Sequence, residues 1–473
     1  MSTPTFYWHD YETFGINPAV DRPSQFAGIR TDLDLNPIGD PLVLFCKPAP
    51  DRLPNPEACL VTGITPQAAY QKGVSEADFI RQIHTELAYA QTCTVGYNNL
   101  HFDDEVTRYT LYRNFYDPYA REYQNGNSRW DIIDLVRMCY ALRPEGIEWP
   151  RYEDGRPSFR LEELSKANNL KHESAHDALS DVYATIALAK LVKTKQNKLF
   201  NYALSLKQKQ NALNLLNVRD MQPIVHTSSK FPSETGCTSV VAPVALHPTN
   251  KNGVVVYNLR HDPSDLINAT ANEIRERLFT RTEDLPEGVE RIHLKTVHVN
   301  KSPMLAPLNT LTERATERLQ LDMAVIEKHI AQLKKVNGLS QKIRNALHDH
   351  QYENSTDPEL MLYTGFLGEA DRQRCLQIQQ ATPEQLADLS FAFDDKRLPE
   401  LLFRYRARNW PETLAADEMQ RWQEHCQEQL TQGAGLSLTE FETKLQSLGE
   451  SNLDENKMAI LEELAEYAAM LTD

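Results

Sequence analysis

Between residue 5 and about residue 190 the chain alternates short apolar runs of strand character with amphipathic runs of helical period, and nothing after that point does so. FYWHDYE (6–12), PLVLFCKP (41–48) and CTVGYN (93–98) read as strands. SEADFIRQIHTELAYAQ (75–91) carries Phe79, Ile83, Leu87 and Ala90 at helical spacing, DDEVTRYTLYRNFY (103–116) returns to helix, and ALSDVYATIALAKLVK (178–193) closes the region as an apolar helix. This alternation predicts an α/β domain over 5–190. From about 197 the texture changes to short β-rich runs broken by Pro, Gly and Asn, such as SVVAPVALHP (239–248) and NGVVVYNL (252–259). They predict a small β-barrel or sandwich over 197–350, decorated by helices near 271–280 and 311–335. A polar break, HDHQYENSTDPE (348–359), then leads into a helical segment, 351–473. At 473 residues the chain exceeds what one core supports, so three domains are expected.

Charge follows the same divisions. The chain carries a net charge of −16, which on its face excludes a polyanion as ligand. Residues 351–473, however, hold 24 acids against 10 bases, leaving 42 against 40 in the rest of the chain. The first two domains are therefore near neutral and free to carry local basic surface. Seven scattered cysteines with no CxxC pair argue against a disulfide framework or a zinc site and suit a reducing cytoplasm. No apolar run approaches the ~20 residues that span a bilayer, and MSTPTFYWHD has no secretory character.

Within the first strand, FYWHDYETFG (6–15) places Asp10 and Glu12 two positions apart among aromatic residues. Residues i and i+2 of a strand share a face, so the two carboxylates project side by side. Buried ionised carboxylates need a charge partner or a metal. The pair reads either as a divalent-cation site or as two solvated acids on an edge strand.

Three further stretches bear on that choice. GYNNLHFDDEV (96–106) puts Asp103 after a strand at a helix start, where Asp103 and Asp104 also suit an N-cap. RWDIIDLVR (129–137) supplies Asp131 and Asp134, the latter read as structural. HESAHDALSDVYAT (172–185) carries His176 and, five residues on, Asp181. Singly, His176 could be a loop histidine and Asp181 a surface acid.

Together, D-x-E, N-x3-F-D and H-x4-D within one α/β domain resemble the DEDD exonuclease superfamily in its histidine variant. The longer stretches HDYETFG, DRPSQFAGIRTD, NNLHFDDEVTRYTLYRNFYDPY, YALRPEGIEWP, PSFRLEELSKAN and LLFRYRARNW are similar to the bacterial exonuclease I family, single-strand-specific 3′→5′ deoxyribonucleases, over nearly the whole chain. The resemblance implies a ribonuclease-H-like nuclease domain, an SH3-like β-barrel and a C-terminal helical domain enclosing a DNA channel. It implies that Asp10, Glu12, Asp103 and Asp181 hold two divalent ions and that His176 is the base. It also implies that Thr62, Gly63 and Ile64, within CLVTGIT (59–65), pack on the 3′-terminal nucleotide. One departure is Leu100-His101, where the family has an aliphatic-basic pair.

Phosphodiester hydrolysis requires charge to be neutralised at the attacking and leaving oxygens, which two ions about 4 Å apart accomplish. Oxygen ligands favour Mg²⁺, with Mn²⁺ substituting, over zinc. A histidine of pKa ~6.5 can take the attacking water's proton near neutrality. His9 and His101 are rivals for that role, but the spacing to Asp181 favours His176.

Arg160 is expected to grip the terminal phosphate, unless it pairs with Glu162 or Glu163. Arg108, Arg113, Tyr119, Tyr123 and Arg137 mix charge with rings suited to single-strand stacking. Lys207 and Lys209 close the acid-free stretch 190–211, while Lys251, Asn252 and Lys301 occupy basic turns. Arg404 and Arg408 mark a candidate functional face in the acidic tail. The sequence thus predicts a monomeric cytoplasmic 3′→5′ exonuclease of DNA repair that degrades single-stranded DNA to 5′-mononucleotides, with a single-stranded DNA-binding protein as partner through its acidic tail. The alternatives are a 3′→5′ exoribonuclease and a non-catalytic nucleic-acid scaffold.

Overall fold

The computed structural model describes residues 3–171, 177–348 and 355–472. The chain forms two compact units. The first takes Met1–Ser128, His172–Tyr183 and Asn354–Asp473, and the second takes Arg129–Lys171 and Ala184–Glu353.

The first unit is built on β1 (Thr5–Thr13), β2 (Pro23–Thr31), β3 (Pro37–Phe45) and β4 (Thr92–Gly96), in the order β3-β2-β1-β4. β1 is antiparallel to β2 and parallel to β4, a central position that accounts for its almost unbroken burial. The β1–β2 register sets Asp10 opposite Ala27 and Glu12 opposite Gln25, with a bulge between Glu12 and Thr13. The helix Glu76–Leu87, N-capped by Ser75, buries Phe79, Ile80, Ile83 and Leu87 in a cluster with Tyr7, Tyr11 and Phe26. β4 ends at Gly96, where a Cβ would lie 2.9 Å from the His9 carbonyl oxygen. Only glycine allows the chain to pass so near β1 beside Asp10.

The C-terminal helices belong to this same unit. Phe441, Leu461 and Leu464 pack with Phe14, Leu53 and Cys59, and Leu398, Leu401 and Tyr405 pack with Tyr109, Tyr112 and Phe115. A buried ionic hub fastens them. Arg22 lies 2.6 Å from Glu359 and 3.4 Å from Asp51, Arg408 lies 2.6 Å from Glu359 and 3.1 Å from Asp51, and Arg113 lies 2.9 Å from Glu76. Arg404 pairs with Asp357 and Glu400. The tail arginines read as a functional face are therefore internal, because the acids placed around them leave no charge to present outward.

β5 (Ser128–Asp131) and the helix Ile132–Leu142 carry the chain into the second unit. Here β6 (Ile224–Thr227), β7 (Thr238–Leu246), β8 (Gly253–Asn258), β9 (Leu294–His298) and β10 (Met304–Pro307) form an antiparallel sheet in the order β10-β6-β7-β8-β9. Its inner face packs Ile224, Val241, Val254, Val256, Val297 and Leu305. The acid-free stretch precedes it, ending the helix Ala178–Lys195 and running on through Asn197–Ser205 into Lys209–Leu215. No helix among the described residues is long and apolar enough to cross a membrane.

Candidate active site

Asp10, Glu12 and Asp181 bring carboxylate oxygens within 4.8 Å of one another, the sole group of metal-ligand geometry among the described residues. Strand alternation puts Asp10 and Glu12 on one face, and Asp181 reaches them from the first turn of the helix Ala178–Lys195. That helix start is tied to β2, since the Ala178 amide donates to Gln25 Oε1 at 3.4 Å, and Gln25 is the strand partner of Glu12.

Asp103 opens the helix Asp103–Arg113, yet it does not cap it. Its Oδ1 instead accepts the Tyr11 amide at 3.0 Å, on the backbone between Asp10 and Glu12. β4 has stopped pairing with β1 by then, and the carboxylate takes over the strand amide. Asp104, the other N-cap candidate, is consumed by Arg121 at 2.6 Å with both side chains fully buried.

The remaining acids repel one another. Burial, then repulsion from Asp103, Glu12 and Asp181, holds Asp10 well above the usual carboxylate range. Burial and the charges of Asp181 and Asp103 push Glu12 up to about 8. Asp103 rises to about 7 through burial, against the lowering pull of the Tyr11 amide. Such a group is unfavourable as it stands and becomes favourable around a divalent ion, whose hard-oxygen preference this donor set meets.

Two participants escaped the sequence reading. Asp177 adds its charge to Asp10 and Glu12, and its carbonyl accepts the Asp181 amide at 3.0 Å. Its spacing of four from Asp181 was the available signal. Gln25 gave none, because its part depends on strand register. His176 lies outside the described residues. His9 faces away from Asp10, buried against Phe26, its pKa lowered to about 4 by burial. His101 is exposed.

The other expected contacts divide. Gly63 ends the helix Pro56–Thr62 at φ +70°, a left-handed cap that fixes the turn at Thr62. Ile64 is buried with Phe14, Phe441 and Leu464. Arg160, in the second unit, is 71% exposed and loosely paired to Glu163 at 3.8 Å. Tyr123 is exposed and Tyr119 half-buried. In the second unit, Lys209 is exposed and donates to Asn252 at 2.5 Å, Lys251 is exposed, and Lys207 and Lys301 are half-buried. Arg108 and Arg113 are buried and paired with acids. Arg108 holds Glu122 at 2.7 Å and Glu105 at 2.6 Å, and Arg113 belongs to the ionic hub. Arg137 pairs with Asp134 at 2.8 Å and is mostly covered, in keeping with the structural reading of Asp134.

Three protein-family models match: "Exonuclease" over residues 7–189, "Exonuclease I SH3-like domain" over 207–349 and "Exonuclease I C-terminal domain" over 356–471. The chain is 45% identical over 470 residues to exodeoxyribonuclease I of Haemophilus influenzae, covering 99% of this chain and 98% of that one. Among solved structures it is similar to a moderately thermophilic exonuclease I from Methylocaldum szegediense, at 52% identity and a TM-score of 0.95 over 99% of this chain and 100% of that chain. It is also similar to the zinc-bound complex of E. coli exonuclease I with single-stranded DNA, at 45% identity and a TM-score of 0.95 over the full length of both.

Proposed function

The chain belongs to the exonuclease I family, 3′→5′ exonucleases of single-stranded DNA, and from that premise we infer that Asp10, Glu12, Asp103 and Asp181 are the ligands of two Mg²⁺ ions. The observation that carries this reading is the convergence of three carboxylates within 4.8 Å, where burial and mutual repulsion raise Asp10 and Glu12, in a unit whose other buried acids are paired with arginine. Bound there, the ions would supply charge neutralisation at the attacking and leaving oxygens. The protein's own groups do the rest. Asp103, anchored on the Tyr11 amide, fixes the backbone between Asp10 and Glu12. Gln25 aligns the helix that delivers Asp181. His176, five residues before Asp181, takes the proton of the attacking water. Glu12 and the turn Thr62-Gly63-Ile64 receive the 3′-terminal nucleotide, and exposed Arg160 binds its phosphate.

Lys207, Lys209, Lys251, Asn252 and Lys301 carry strand beyond the cleaved end, with Tyr123 and Tyr119 stacking bases. The product is 5′-mononucleotides, and the setting is DNA repair in the cytoplasm, as a monomer. The seven free thiols suit a reducing compartment. An acidic tail of a single-stranded DNA-binding protein is the expected partner. A cavity of about 450 Å³ in the second unit has the matching chemistry, with Arg143, Lys195 and Lys198 around a floor of Met138, Leu142 and Leu199.

The deciding assay follows 5′-labelled DNA, RNA and duplex DNA with Mg²⁺. Stepwise shortening of the single DNA strand from its 3′ end is expected. Equal cutting of RNA would replace this reading with an exoribonuclease, and no cutting would leave a binding scaffold.

A further inference from the structure

On the inner face of the second unit's sheet, two titratable side chains stand among apolar ones. His226 shares a strand face with Ile224 on β6, and Lys295 shares one with Val297 on β9. Ile224 and Val297 belong to the apolar inner cluster, so His226 and Lys295 project inward with them. There the two meet, with Lys295 Nζ 2.5 Å from His226 Nε2. Phe231 closes on both, its ring edge-on to the imidazole at 5.6 Å and 5.6 Å from Lys295 Nζ.

The tautomer of His226 is set from its other side. Its Nδ1 lies 3.0 Å from the Met304 carbonyl oxygen, which can only accept, so Nδ1 carries the proton. Nε2 therefore turns a lone pair toward Lys295. Burial, then the charge of Lys295, holds His226 well below the usual imidazole range, and it stays neutral. Burial lowers Lys295 to about 8 against the pull of Asp134, with Lys230 adding to the fall. Asp134 is itself committed to Arg137 at 2.8 Å. As packing the pair is a poor choice, since two apolar side chains would fill the space without desolvating a charge. As chemistry it is a nucleophilic amine, desolvated and set beside a base. Lys295 is half-buried rather than enclosed, so solvent reaches its side chain.

We propose that Lys295 is a site of covalent acylation by small acyl phosphates, with His226 Nε2 receiving the proton that the amine gives up. The unprotonated Nζ forms a bond to the acyl carbon, and the bond from that carbon to the phosphate oxygen breaks. Phosphate departs with the electron pair, and the proton passes from Nζ through His226 Nε2 to the phosphate. The products are a neutral amide and inorganic phosphate, and Lys295 loses its charge. At pH 7.5 about a quarter of Lys295 is unprotonated, against about 0.1% of an ordinary lysine. Lower basicity and partial cover offset some of that advantage.

The test treats the full-length protein with acetyl phosphate at pH 7.5 and follows each lysine by peptide mass spectrometry. Lys295 is expected to be acetylated about tenfold faster than Lys230 and Lys251, exposed lysines of the same unit. In urea, with the fold removed, the three should react alike. His226→Gln keeps an acceptor for Lys295 and a donor for Met304 but removes the base. It should slow Lys295 several-fold and leave Lys251 unchanged. Lys295 reacting no faster than Lys251 in the native protein overturns the site, as does a preference that persists in urea. An unaltered Lys295 rate in folded His226→Gln overturns the part given to His226. The comparison of native protein with urea needs no variant, so it decides the site even where His226→Gln melts early.

Discussion

Two groups of buried acids lie in one unit and behave in opposite ways. In the hub, burial alone would raise the carboxylates, yet Arg408 and Arg22 hold Asp51 far below the usual range and Arg22, Arg408 and Arg113 do the same for Glu359. Arg113, Arg22 and Arg408 bring Glu76 down to about 2. Around Asp10 the same burial acts without arginine, and Glu12 rises to about 8. Burial is common to both, and what differs is that the charges acting on Asp10 and Glu12 are acids where the hub has arginines. A buried acid that arrives with its arginine belongs to the architecture. Acids that converge on other acids form a group that a cation would stabilise.

The comparison breaks most sharply at the proposed metal ligands. Asp10→Ala or Asp181→Ala should reduce cleavage below a few per cent of wild type while single-strand binding in Ca²⁺ persists. In the absence of divalent ions Asp10→Asn should melt higher than wild type, since it removes repulsion, and Mg²⁺ should stabilise the wild type more than the variant. Residual cleavage would show that other carboxylates serve the reaction, and a variant that melts lower would show that these acids do not repel one another.

His176→Ala should lower kcat by ~10²–10⁴-fold with little change in affinity, and recover in part at higher pH, where hydroxide replaces the base. A larger defect in His101→Ala would move the assignment.

The hub should answer to stability. Arg408→Ala leaves Asp51 and Glu359 buried together with one guanidinium fewer, at a cost of about 3–5 kcal/mol, read by denaturant unfolding, with kcat per folded molecule unchanged. Because the hub acids are depressed in the folded state, their stabilisation is complete above the unfolded value of about 4.3 and is lost as pH falls toward 2. Arg408→Ala should flatten that acid limb. An unaltered limb would mean that the hub contributes nothing to it.

The smallest effect concerns the second unit. Replacing Lys207 and Lys209 with Ala should lower the slope of log K against log salt by about 0.7 for each phosphate no longer neutralised. Processive runs on long strands should shorten while trinucleotides are cut at the wild-type rate. Equal losses on both lengths would place these lysines in folding instead.

Much of this was legible before any coordinates. The alternation of strand and helix period gave the α/β region, and the i, i+2 spacing of Asp10 and Glu12 put both acids on one face, because backbone geometry dictates those periods locally. The set of Asp103, His176 and Asp181 came from resemblance, and the structure joins Asp103 to the strand of Asp10 and Glu12 through its bond to the Tyr11 amide. What remained hidden was the fate of the arginines. Arg108, Arg113, Arg404 and Arg408 looked like a cationic surface, and each is spent inside the protein. A guanidinium reads the same in sequence whether it faces a phosphate or a carboxylate. The partner that settles it is 337 residues away for Arg22 and Glu359 and 357 for Asp51 and Arg408. Local periodicity extends about four residues. The sequence by itself determined which acids share a face. Only the tertiary structure decided which acids received an arginine, because that depends on charges brought together from opposite ends of the chain.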